Sequence, residues 1–107
     1  MTHTAVPSGQ GTVLLDIGAD IGALVVHTPP RLHGHRIEVS PAGDPARRTR
    51  AAVRARYLRG GVGYSVVIGG LPQGRYVVWR DPHTPLGEVD VHGGEVAEVT
   101  WSIPAAA

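Results

Sequence analysis

What most constrains this chain is its punctuation. Clusters of Gly, Pro, Asp and Ser interrupt the apolar pattern about every ten residues, a spacing that suits short strands and leaves no room for helices of ordinary length. Gly (15) and Pro (9) together make up 24 of the 107 residues. Between the breaks, residues 12–17, 22–27, 36–40, 47–58, 64–68, 75–80, 86–91 and 96–101 read as strands. In 36–40 the alternation is clean, with Ile37 and Val39 facing one way and Arg36, Glu38 and Ser40 the other. Residues 12–17 and 22–27 are nearly continuous in apolar side chains, which predicts central strands covered on both faces. A chain of 107 residues supports one core. The expected fold is therefore all-β, a single small sandwich or barrel. It should span residues 11–103, with a loose arm at 1–10 and a frayed end at 104–107.

Residues 47–58 pull in two directions. Their Ala and Arg content suits a helix. Their pattern has the period of a strand, with Ala51, Val53, Ala55 and Tyr57 on one parity and Arg48, Arg50, Arg54 and Arg56 on the other. Only the Val53–Tyr57 step fits a helical stripe, so period decides and the segment is predicted to be one strand. The four even-numbered arginines would then line one face over about 27 Å, with Tyr57 turned inward.

Near the C-terminus, GGLPQGRYVVW is followed by PLGEVDVHGGEVAEVTW. This stretch resembles the end of Cna-B, prealbumin-like and carboxypeptidase-regulatory-like domains, which carry a Leu-Pro-x-Gly-x-Tyr corner, here Leu71, Pro72, Gly74 and Tyr76. The resemblance covers roughly the last third of the chain and implies a single small Greek-key β-sandwich of about seven or eight antiparallel strands. The corner also has a physical reading. Pro72 sets the turn, Gly74 permits an unusual dihedral, and the Tyr76 hydroxyl bonds back to the main chain. Surface Cna-B domains build isopeptide bonds from Lys and Asn, and this chain has neither. Transthyretin-like hydrolases end in Tyr-Arg-Gly-Ser, which TWSIPAAA lacks. A second likeness lies in residues 14–26, LLDIGADIGALVV, which resemble the phosphate-binding hairpin of sugar kinases and actin-like ATPases. One short hairpin supplies neither the second phosphate loop nor the lobes of those enzymes. Asp16, Gly18 and Asp20 therefore read as turn residues.

The absence of Cys excludes disulfides, thiolate catalysis and zinc–thiolate sites. No G-x-S-x-G or other nucleophile–base spacing is present, so the expected function is non-catalytic. The start, MTHTAVPSGQG, has neither a basic nor an apolar signal region, and no run approaches about 20 apolar residues. The simplest expectation is a cytoplasmic protein with no membrane segment.

Two constellations remain. His27, His33 and His35 fall within HTPPRLHGH, and side chains at i and i+2 of a strand share a face, so the three suggest a Zn or Cu site. Arg47, Arg48, Arg50, Arg54, Arg56 and Arg59 are six of the ten basic residues. Glu38, Glu88 and Glu98 are expected to neutralise some of them. A formal net charge of +1 argues against a general nucleic-acid binder. Single-strand binders interleave charge with stacking aromatics, and Tyr57 alone is available here. The leading expectation is an accessory domain without a cofactor. It would bind a protein partner through Arg48, Arg50, Arg54 and Arg56 on the Arg-rich strand 47–59. The alternative is a small metal-binding protein using His27, His33 and His35. Open sheet edges also permit self-association. Trp79 and Trp101 read as sheet packing rather than a sugar platform.

Overall fold

The computed structural model describes residues 17–101. Within them lie strands β1 (Ile21–Thr28), β2 (Arg36–Pro41), β3 (Thr49–Ala52), β4 (Arg54–Leu58), β5 (Gly61–Pro72), β6 (Gly74–Asp81), β7 (Thr84–Val91) and β8 (Val96–Thr100). A 3₁₀ turn, Pro30–Leu32, follows β1 where two adjacent prolines cannot both join a ladder. The strands form two four-stranded sheets, the first in the order β4-β5-β1-β8 and the second β3-β2-β6-β7. This is the expected all-β sandwich. The predicted arm at 1–10, the predicted strand at 12–17 apart from Ile17, and the tail at 104–107 lie outside the described residues.

The chain changes sheet four times, at β1–β2, β3–β4, β5–β6 and β7–β8. Strand pairing is antiparallel everywhere except between β1 and β8, which run parallel. As the continuous apolar run predicts, β1 is central, flanked by β5 and β8. Leu24, Val26, Val66 and Ile68 from the first sheet meet Ile37, Val39, Val78 and Val91 from the second, all of them buried.

The predicted strand at 47–58 is extended, as its period indicates, but it is two strands in two sheets. β3 pairs with β2 and β4 pairs with β5. The single residue between them, Val53, is 1% exposed and belongs to the core. Its N–H donates to His35 O at 2.8 Å, and its carbonyl accepts the Gly34 N–H at 3.0 Å. Burying Val53 while satisfying both of its backbone groups pulls the chain across from one sheet to the other. The expected face of four aligned arginines is thereby divided.

A second crossing lies between β5 and β6, where Gln73 alone intervenes. Here the predicted tyrosine corner forms. Tyr76 is 5% exposed, and its hydroxyl donates to Pro72 O at 2.5 Å. Gly74 takes the unusual dihedral expected of it, φ +157°, and Gly70, just before the corner, is left-handed at φ +68°.

Three turns meet at the Gln73 end of the sandwich. Gln73 N–H donates to Asp20 O, and Gly93 N–H to the Gln73 side-chain oxygen, at 2.8 and 2.9 Å. A β-carbon on Gly93 would overlap the carbonyl of Ala19 and lie 3.0 Å from Asp20 Cα. Both obstacles are backbone, so neither yields by a rotamer change. Gly93→Ala is expected to destabilise the fold by about 1–3 kcal/mol. Tyr76→Phe, which removes only the corner hydroxyl, should cost about 1 kcal/mol. Urea denaturation of the two variants against wild type measures both, and a Gly93→Ala midpoint equal to wild type would refute the close crossing.

Candidate functional site

The divided arginine run gives its two halves different surroundings. On β2, Glu38 stands opposite Arg50 of β3 and Trp79 of β6. Directly paired residues share a face, so all three lie on the outer face of the second sheet. Glu38 accepts from Arg48 Nη1 at 2.8 Å and from Arg50 Nε at 2.7 Å. Arg48 has further contacts. Its Nε donates to Pro45 O and its Nη2 to Pro82 O, and its guanidinium carbon lies 3.7 Å from the Trp79 ring centroid. The Trp79 indole N–H in turn donates to Ser40 Oγ at 3.0 Å. Arg48 thus ties the β2–β3 and β6–β7 connections together through the Pro45 and Pro82 carbonyls, and it packs across β2 and β6 through the Glu38 ion pair and the Trp79 cation–π contact. Its side chain is 19% exposed, against 57% for Arg50. Beside this cluster is an open, mostly apolar groove of about 410 Å³, walled by Val77, Trp79, Pro85 and Leu86.

The second half, on β4, has no such neutralisation. Arg54 and Arg56 lie opposite Ser65 and Gly63 of β5, on the outer face of the first sheet. Arg56 Nε donates to Ser65 Oγ at 3.3 Å. Among the described residues no carboxylate lies within ion-pair distance of Arg54, Arg56 or Arg59. Burial and then the charge of Arg54 lower the Arg56 pKa. The acids expected to help lie elsewhere: Glu88 is beside Arg75, and Glu98 accepts from His27.

The far end of the β4–β5 hairpin is apolar and exposed. Tyr57 is 74% exposed, Val62 opposite it 48%, and Leu58 40%. Tyr57 keeps the inward parity that the alternation predicts, on the same face as Tyr64. Cover over that face ends near Tyr64, against which His33 packs with ring centroids 5.4 Å apart. The hairpin therefore presents an exposed aromatic and two exposed aliphatic side chains on the same element as arginines that have no carboxylate partner among the described residues. Alternation carries no information on where a cover stops, so the sequence does not reveal this exposure.

The three histidines are not brought together. His27 bonds Glu98 at 2.6 Å on the outer face of the first sheet, His33 follows the 3₁₀ turn, and His35 precedes β2. Among the described residues no three His, Asp or Glu side chains converge in a way that could hold a metal ion. Trp101 is in the core and Trp79 on an outer face, so they form no joint platform. Asp20 lies in the turn before β1, and Asp16 is outside the described residues. Comparison with known protein families, with curated proteins and with solved structures finds no match.

The Glu38 cluster has a measurable signature. Burial alone would raise its pKa, but hydrogen bonds from Arg50 and Arg48, with their charges, outweigh it and hold the carboxyl below its ordinary 4.5. A depressed folded pKa adds stability above the unfolded value, and that stability is lost as pH falls through the folded value. Glu38→Gln is expected to be less stable than wild type at pH 7. The gap should close as the pH is taken below about 4. Denaturation midpoints of the two proteins across pH 3–7 check this, and a gap constant with pH would contradict the paired cluster.

Proposed function

We propose that this protein is a non-catalytic interaction domain that binds a protein partner through the β4–β5 hairpin. One observation carries the reading. Arg54 and Arg56, without a carboxylate among the described residues, lie on the same hairpin as exposed Tyr57, Leu58 and Val62. Charges on an edge strand by themselves need no partner, because they discourage sheets from joining edge to edge. Three large apolar side chains beside them work against that protection. Tyr and Arg are the side chains most enriched where proteins meet, and apolar residues beside unpaired charge are the composition of a contact with a polar rim.

Arg48 and Arg50 fall outside this contact. Glu38 holds both, and removing Arg48 would release two connections and a stacked Trp79. The corner at Leu71–Tyr76, on which the resemblance to Cna-B and prealbumin-like domains rests, supports an accessory module of that kind. It carries no information on the partner.

Quantitative capture of binding partners from lysate of the source cells tests the reading. The Arg54→Glu/Arg56→Glu double variant is expected to lose at least tenfold in recovery of any specific partner. Arg80→Glu, on the other sheet, should leave recovery unchanged. Equal recovery by wild type and the β4 variant would sink the proposal.

A further inference from the structure

Resting on that reading, we infer that the hairpin takes its partner by strand addition: an extended, acidic polypeptide segment pairs with the open edge of β4. Among the described residues β5 is the sole strand neighbour of β4, so the other edge of Arg54–Leu58 presents main-chain donors and acceptors to solvent. The described strands leave three further edges, and each differs. β3 has four residues, and its Arg50 is bound to Glu38. β7 carries Pro85, which has no N–H to offer, and its Glu88 and Asp90 face Arg75. β8 carries Glu98, paired with His27. Among the described residues only β4 combines an open edge, arginines with no carboxylate partner and exposed apolar side chains.

Charge selects the occupant. The register that pairs all of Arg54–Leu58 with a second copy places Arg56 directly opposite Arg56, and like charges directly opposed on a sheet are destabilising. An incoming strand with acidic side chains two residues apart places one opposite Arg54 and the next opposite Arg56, a spacing of about 6.6 Å. The residue between them falls on the other face, opposite Ala55, and the residue just beyond lies opposite Tyr57 on that same face, where Tyr57 and Val62 offer apolar contact. The expected partner segment therefore alternates acidic with apolar or β-branched residues over about five positions. Main-chain pairing supplies affinity, and the alternate side chains supply specificity. A nucleic acid offers phosphates but no strand to pair.

Defined probes test the inference on the full chain. The first is a soluble peptide alternating Glu with Val and Thr, the second its Lys counterpart, and the third the Glu peptide N-methylated throughout. Titration followed by amide NMR is expected to show the Glu peptide binding at least tenfold more tightly than the Lys peptide. Hydrogen-exchange protection should appear at alternate amides of Arg54–Leu58, those whose N–H points away from β5. The Arg54→Glu/Arg56→Glu variant, checked for an unchanged circular dichroism spectrum, should reverse the preference, a result that a merely unfolded variant cannot give. The N-methylated peptide should not bind. Equal binding of the N-methylated peptide, tighter binding of a 20-nucleotide oligothymidylate, or sedimentation showing dimers that the Tyr57→Ser variant dissolves would each overturn strand addition. If cellular partners depend on Arg54 and Arg56 while no Glu peptide binds, strand addition falls and the interaction reading stands. If neither depends on these arginines, both fall.

Discussion

The architecture of the surface depends on one buried valine. Val53 sits between two sheets, 1% exposed, with its N–H and carbonyl both bonded to the segment before β2. Were it to face solvent, residues 47–58 could run as one strand and hold their arginines in one row. A buried Val is worth about 1.5–3 kcal/mol relative to an exposed one, and its two hydrogen bonds leave no main-chain group unsatisfied. Against that, keeping four arginines aligned on one strand offers nothing favourable, since like charges repel. The chain therefore turns into the core at Val53. Its charges are then allotted to two outer faces with opposite surroundings: one containing Glu38 and Trp79, the other Ser65 and glycine.

Much of the architecture was legible because sandwich strands obey a period of two. Ile37 and Val39 are buried and Arg36 exposed, as their alternation requires. The near-continuous apolar run at 22–27 forms the central strand β1, and the Leu-Pro-x-Gly-x-Tyr corner closes on Pro72 O. What was not legible has a common cause. A period of two is preserved when a strand leaves one sheet and joins the other, so Ala51, Val53 and Ala55 looked like one uninterrupted face. The same pattern assigns Tyr57 an inward parity without saying whether an opposing sheet covers it. The Arg48–Trp79 stack joins residues far apart in the chain and has no local signal at all. The histidines lie close in sequence, but the proline break and 3₁₀ turn between β1 and β2 keep them apart in space.

The two outer faces show how similar residues acquire different uses. Arg48 donates to a carboxylate and two carbonyls and covers an indole, so its charge is spent within the molecule. Arg56 donates to one hydroxyl and lies close to another arginine. Sequence distance between them is small. The difference lies in what the neighbouring strand presents, Glu38 and Trp79 across from one half and small or uncharged residues across from the other.

The parallel pairing of β1 with β8 also bears on timing. His27 and Glu98, which meet across that pair, are 71 residues apart. During synthesis β1 can find β5 once the middle of the chain has emerged, but its other edge stays open until the ribosome has released almost everything through Trp101. Long-range closure of this kind slows folding and leaves a hydrophobic edge available to other chains in the interval. A nascent chain of this protein is thus most exposed to wrong pairing along its first described strand rather than at the surfaces that the finished molecule displays.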